Sequence, residues 1–307
     1  MPLPSFILPS LLVPEVYGPW KGQKGFVPAQ IEAAVKESFF RSIEVSPVLD
    51  PEDRAAVRRL TSENGLYLSC WLTEVLDAEK LDLTTVDENL RQRSVEAIKQ
   101  RLPAAVETGA RTVAFIGGAD PGADLREAGY DAFYRSLSAI SAEAANLGLT
   151  VMFEPLDRFA HKKRLVGPTA EVVGTFARVR AEHAGFGMAF DSAHAALNEE
   201  DIAASLTLAK DQIVNIHLSN AVLDKSSPFY GDHHMLPGAP GFLTVDRAAT
   251  IVVQAARQKM GRSEGLPIAI ESRARPGEPE QAMATITKAF LKEVLAEADR
   301  LFDATPA

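Results

Sequence analysis

Short, near-continuous apolar runs alternate along this chain with longer stretches in which apolar residues recur every three or four positions. LYLSCWL, RTVAFIGG, LTVMFEP, FGMAFD, QIVNIHLS and LPIAIES are runs of the first kind. Their near-unbroken Val, Ile, Leu and Phe content marks strands buried on both faces, as parallel strands are. IEAAVKESFF, PEDRAAVRRLTSENG, the segment from Val86 to Glu107, the segment from Asp131 to Leu147, and TAEVVGTFARVRAEHAG follow the helical period. So do EEDIAASLTLAKD, VDRAATIVVQAARQKMG and EPEQAMATITKAFLKEVLAEADRLF, and several of these helices end on a Gly or Asn-Gly stop. With a first strand in the apolar N-terminal segment and a second at SIEVSPV, the pattern gives eight strand-then-helix units. Eight units select a closed (β/α)₈ barrel over an open doubly wound sheet. A single TIM barrel over residues 1–307 is therefore expected, with its longest loop, Ala221 to Thr244, after the seventh strand. That loop holds SSPFYGDHHMLPGAPGF, and nothing along the chain marks a second domain, a low-complexity tract or a repeat.

Composition narrows the function classes. Hydrophobic residues make up 46% and charged residues 24%, the balance of a soluble protein with a sizeable core. A net charge of −9 argues against nonspecific binding to nucleic acid or to an anionic membrane, since both need a basic surface. Cys70 is the sole cysteine, so an intrachain disulfide is excluded and a reducing compartment is indicated. MPLPSFILPSLLVPEV is apolar but lacks a basic leader region and is interrupted by Pro2, Pro4, Pro9 and Pro14, so it reads as strand and loop. No segment has the uninterrupted apolar length of a membrane span. The expectation is a soluble, cytoplasmic protein with neither membrane nor nucleic acid as partner.

Four of the predicted strands end on a group that apolar surroundings do not tolerate alone: Glu154, Asp191, His217 and Glu271. Taken singly, each has an ordinary explanation. Asp191 can cap the helix that begins at DSAH, and His217, between Ile216 and Leu218, can be a hydrogen-bonded core histidine. Taken together they fall at the C-terminal ends of predicted strands five to eight, the rim where sites of this barrel form. Three carboxylates and an imidazole make a hard site for one divalent cation; Mn²⁺ or Mg²⁺ suits it best, and Co²⁺, Zn²⁺ or Fe²⁺ also fit. Such a cation polarises a carbonyl and stabilises the enediolate left when an adjacent C–H loses its proton. Two glutamates flanking it can act as base and conjugate acid on opposite faces of a substrate.

The segments FEPLDRF (Phe153 to Phe159), FDSAHA (Phe190 to Ala195), NIHLSN (Asn215 to Asn220), HHMLPGAPGF (His233 to Phe242) and IAIESR (Ile268 to Arg273) resemble the xylose isomerase-like TIM barrels. That superfamily includes sugar and sugar-phosphate isomerases and epimerases and the endonuclease IV branch. The resemblance implies that Glu154, Asp191, His217 and Glu271 bind one metal. Similarity to the ketose 3-epimerase-like branch implies that Glu154 and Glu271 also exchange the substrate proton and that His194 contacts substrate oxygens. The chain departs from that branch's E-P-x-N-R-[FY]-E pattern at Asp157 and Ala160. The second change removes an acidic substrate contact, which argues against a free ketohexose. Where many members place an arginine after strand seven, this chain has Asp232, His233 and His234, able to meet substrate, a second metal or neither.

Other residues near predicted strand ends are candidate substrate contacts. Trp71 offers a face for a sugar ring, His234 a polar contact, and Arg273 and Arg275 a hold on phosphate or carboxylate. Lys162, Lys163 and Arg164 can do the same, although a solvated loop is the simpler expectation. Gly117 and Gly118 allow close backbone approach or a turn, and Glu44 is expected in a surface or structural salt bridge. The leading function is a metal-dependent isomerase or epimerase of a small keto- or aldo-sugar or polyol derivative. Its rivals are a lyase, dehydratase or decarboxylase acting on an oxidised sugar or 3-keto-glycoside through the same enediolate, and an endonuclease IV-like nuclease. A barrel kept only as a binding subunit is disfavoured by the intact ligand set. The nuclease is disfavoured by the acid balance and because all six histidines lie at or after His161. A homo-oligomer is also expected.

Overall fold

The computed structural model describes residues 3–304. Its strands are β1 (Ile7–Leu12), β2 (Ser42–Val45), β3 (Tyr67–Trp71), β4 (Thr112–Ile116), β5 (Thr150–Glu154), β6 (Phe186–Asp191), β7 (Ile213–Val222), β8 (Gly231–Met235) and β9 (Leu266–Glu271). All but β8 run parallel in one ring: β1 to β7 are neighbours in sequence order, and β9 closes the ring between β7 and β1. The expected single (β/α)₈ barrel is therefore the observed one. Every residue of β2, β3, β6, β7 and β9 is buried, because the ring interior covers one face and the helices the other.

Two layers of side chains follow from the two-residue alternation of a strand. Outside the ring, Phe153 meets Phe133 of the helix Arg126–Asn146 and Phe176 of the helix Thr169–Glu182, Phe186 meets Phe176, and Phe115 meets Phe153, all edge-to-face, the shortest 4.6 Å between Phe133 and Phe153. Inside it, Trp71, Ala114, Met152, Ala189 and Ala269 belong to one buried cluster. Three of these five are alanines, which leaves room above them for larger polar groups.

Some boundaries differ from the sequence expectation. The segment from Val86 to Glu107 is two helices, Glu88–Lys99 and Leu102–Thr108, because Pro103 has no N–H to extend the first and fits the opening turn of the second. The helix expected from Asp131 begins at Arg126 and ends at Asn146. The loop expected from Ala221 to Thr244 starts instead with the last two residues of β7 and folds back through β8, which pairs antiparallel with it (Asn220 with Met235, Val222 with Gly231). Gly118 serves packing: a Cβ there meets the Asp82 carboxylate at 1.9 Å. No helix among the described residues is long and apolar enough to cross a membrane.

Candidate active site

Alternation delivers the four strand-end residues to the interior. Phe153 is locked into the outer aromatic layer, so Met152 and Glu154 on either side of it point inward. Across the ring, Asp191 is in register with His217, His217 with Ala269, and Ser219 with Glu271, which puts these residues on one face. The ligand atoms of Glu154, Asp191, His217 and Glu271 all lie within 4.8 Å of one another, and all four side chains are buried. His217 Nδ1 stands 3.2 Å from Glu154 Oε1 and 2.9 Å from Glu271 Oε2. Asp191 caps the helix Ser192–Leu197 through Oδ1, accepting from His194 N at 2.9 Å, while Ser219 Oγ donates to its Oδ2. It is both a cap and a member of the cluster.

The surroundings give the three carboxylates different proton affinities. Burial, with Glu271 nearby, raises Glu154, and burial raises Asp191 to about 7. Glu271 is as buried, but His234 and His217 outweigh that and hold it well below the usual carboxylate range. Burial opposes a charge on His217, yet Glu44 and Glu271 raise it well above the usual histidine value. Carboxylates crowded in low dielectric around one imidazole are what a divalent cation neutralises, and the donor set suits a hard one.

Beneath this cluster lies a residue whose place was not expected. Of the surface or structural salt bridge expected for Glu44, the structure shows the second: it is fully buried inside the ring and paired with His217. Ser10 Oγ donates to its Oε1 at 2.9 Å. Trp71 Nε1 at 2.8 Å, Asn215 Nδ2 at 3.1 Å and His217 Nε2 at 3.1 Å all meet its Oε2. Trp71 thus has its polar edge tied to Glu44 and its ring 5.1 Å from that of His217.

The wall beside the cluster is a second polar network. His194 Nδ1 lies 3.0 Å from Asp157 Oδ1, and its Nε2 faces Asp232 Oδ2 at 3.8 Å. Burial disfavours its charge, but Asp191, Asp157 and Asp232 raise it to about 10, so it is an imidazolium. Asp157 Oδ2 accepts from the backbone N–H groups of His161 and Lys162, which folds the loop after β5 onto the site. That loop brings Lys162 Nζ to 3.0 Å from Asp232 and 3.1 Å from His234 Nε2. Arg273 Nη2 reaches the same His234 nitrogen at 3.2 Å, and its guanidinium grips both oxygens of Glu15. Burial opposes a charge on His234, but Glu271, Asp232 and Glu15 raise it above the usual histidine value, and its Nδ1 lies 2.9 Å from Glu271 Oε1. A second carboxylate–histidine grouping, Glu15, His234 and Glu271, therefore already has its charge met by Arg273 and Lys162. His233 faces outward and stacks on His161 at 4.5 Å.

A cavity of about 580 Å³ opens onto this floor and wall. Trp71, Glu154, His194, His217, His234, Glu271 and Arg273 all line it. Most of the candidates from sequence thus converge on one chamber, with Asp191 just behind the lining residues, while Lys163, His233 and Arg275 are not among those that line it. Sequence reasoning missed the depth of Glu44 and the parts played by Asp157, Lys162 and Glu15. For Asp157, the departure from the family pattern was the available signal.

The sequence model of the family described as "Xylose isomerase-like TIM barrel" matches residues 32–292. Comparison with curated protein sequences finds no match. Among solved structures, an L-ribulose 3-epimerase is similar with a TM-score of 0.73 at 17% identity, covering 98% of each chain. The 3-keto-D-glucoside 4-epimerase of E. coli is similar with a TM-score of 0.66 at 17% identity, covering 94% of this chain and 98% of that one. A family 2 AP endonuclease from Brucella melitensis is similar with a TM-score of 0.63 at 17% identity, covering 91% and 97%. At these identities the likeness is one of fold.

Proposed function

This chain belongs to the xylose isomerase-like TIM-barrel family, and we propose that it is a divalent-metal-dependent isomerase or epimerase acting on a small keto- or aldo-sugar or polyol derivative. One observation carries the reading: Glu154 on β5 and Glu271 on β9, with β6 and β7 between them in the ring, converge on His217 Nδ1 at the floor of the cavity. Two carboxyl groups reaching the same point from separated strands can remove a proton from one face of a substrate carbon and return one to the other. A cation held by Glu154, Asp191, His217 and Glu271 supplies the Lewis acid that polarises the substrate carbonyl and offsets the charge developing on its oxygens. Mn²⁺ or Mg²⁺ suits these donors best, with Co²⁺, Zn²⁺ or Fe²⁺ also compatible.

The remaining lining residues orient the substrate. His194, held charged by Asp157, donates from Nε2 to a substrate oxygen. Trp71 presents an apolar ring edge to the carbon skeleton, and His234 and Arg273 meet the end of the substrate nearest the β7–β8 hairpin. The substrate is small and sugar-like, consistent with the epimerases that share this fold.

The test is a panel of ketopentoses, ketohexoses and 3-keto-glucosides incubated with Mn²⁺-loaded protein in D₂O, followed by NMR for both isomerisation and elimination. Deuterium is expected at the carbon next to the carbonyl, together with an isomerised or epimerised sugar. Elimination products alone would reassign the protein as a lyase, and nicking of abasic DNA would reassign it as a nuclease.

A further inference from the structure

We infer that Glu44 is a positioning residue: it fixes the tautomer and ring orientation of His217 and so sets the affinity of the four-residue site for its cation. The inference rests on the metal-dependent reading above and extends it to a residue outside the ligand set. A neutral imidazole has one N–H and one lone pair, and its surroundings decide which nitrogen carries which. An ionised carboxylate only accepts hydrogen bonds. Glu44 Oε2, 3.1 Å from His217 Nε2, therefore keeps the N–H on that nitrogen, so that Nδ1 is the nitrogen that gives up its proton and offers a lone pair when a cation takes its place among the carboxylates. Nδ1 is the nitrogen that faces Glu154 and Glu271.

Glu44 is itself rigid. Ser10, Trp71 and Asn215 donate to it from β1, β3 and β7, and it has no exposed surface. A buried carboxylate is costly unless fully hydrogen-bonded. Here three donors fix its oxygens and a fourth group, His217, is what they fix it against. A carboxylate behind a ligating imidazole also makes the ligand more basic, and loss of such partners typically costs about 10- to 100-fold in metal affinity.

The experiment is Mn²⁺ titration of the full chain by isothermal calorimetry, comparing wild type with Glu44→Gln. Glu44→Asp, which keeps the buried charge but draws it away from Nε2, guards against a variant that does not fold. Both are expected to bind Mn²⁺ about 10- to 100-fold more weakly. Ser10→Ala removes one of the three donors but keeps the Oε2–His217 contact, and is expected to weaken Mn²⁺ binding less than either Glu44 variant. In the Mg²⁺-loaded wild type, ¹⁵N NMR of the imidazoles is expected to show His217 protonated at Nε2. Folded Glu44 variants that bind Mn²⁺ as tightly as wild type would overturn the inference while leaving the functional reading intact, and a His217 protonated at Nδ1 would overturn both. Failure of the wild type to take up Mn²⁺ overturns the functional reading, and this inference with it.

Discussion

Glu154 and Glu271 are the same side chain in two settings. Glu271 lies between two histidines, at 2.9 Å from each, whereas Glu154 meets His217 alone among them, at 3.2 Å. Proton exchange between substrate and both groups predicts that Glu154→Gln and Glu271→Gln each lower kcat by about 10²- to 10⁴-fold. In the metal-free protein Glu154→Gln is expected not to lower the melting temperature, since it relieves repulsion with Glu271, whereas Glu271→Gln is expected to lower it, since it takes a carboxylate from between two buried histidines; turnover and thermal unfolding measured on the same samples check both outcomes. Cys70 gives a simpler test. Burial, with Glu74 nearby, raises its thiol to about 12, so native protein is expected to resist thiol reagents at neutral pH and to react once unfolded. At this scale the four cluster residues were legible because each interrupts an apolar run. Glu44 was not: in SIEVSPV only Ile43 and Val45 flank it before serines break the run on either side, and only closure of the ring puts it under His217. The pairing of His194 with Asp157 joins the helix Ser192–Leu197 to the loop after β5 and leaves no periodic trace.

The elements hold these residues through their outer faces. Phe133, on the helix Arg126–Asn146, packs against Phe153, the residue before Glu154. Phe133→Ala is expected to cost about 3–5 kcal/mol in urea unfolding, as large core truncations do. The same helix is anchored at its start by Arg126, which donates to Asp120 at 2.7 Å. This hydrogen-bonded ion pair holds the Asp120 carboxyl below its ordinary value of 3.8. A depressed folded-state value means stabilisation that is complete above pH 3.8 and lost as the pH falls through the folded-state value. Asp120→Asn is expected to flatten that acid limb in unfolding measured against pH, leaving stability near neutrality little more dependent on pH than before. Strands and helices were legible here because most strands are short, near-continuous apolar runs set between segments of helical period. The β7–β8 hairpin was not, since GDHHM is polar and becomes a strand only through pairing with β7. The break at Pro103 was present in the sequence as a helix-start signal inside a longer amphipathic stretch.

For the molecule as a whole, a closed ring gathers residues far apart in the chain into one chamber of about 580 Å³. A cation bound only by the folded state stabilises it by mass action, about 2.7 kcal/mol at one hundred times its dissociation constant. Chelator-treated protein is therefore expected to melt several degrees below protein with excess Mn²⁺, with no such difference when Asp191→Asn and His217→Ala are combined. The barrel was legible from its count of strand–helix units, and the location of the site from the rule that such barrels work at their C-terminal rim. Substrate identity was not, because the wall that selects it is built by loops and a hairpin whose contacts are made only in three dimensions.

An anomalous difference map from a crystal soaked in Mn²⁺ tests the metal-dependent assignment most directly. One peak is expected, about 2.0–2.2 Å from oxygens of Glu154, Asp191 and Glu271 and from His217 Nδ1. A site empty at saturating Mn²⁺, or a peak seated instead between Glu15 and His234, would contradict it.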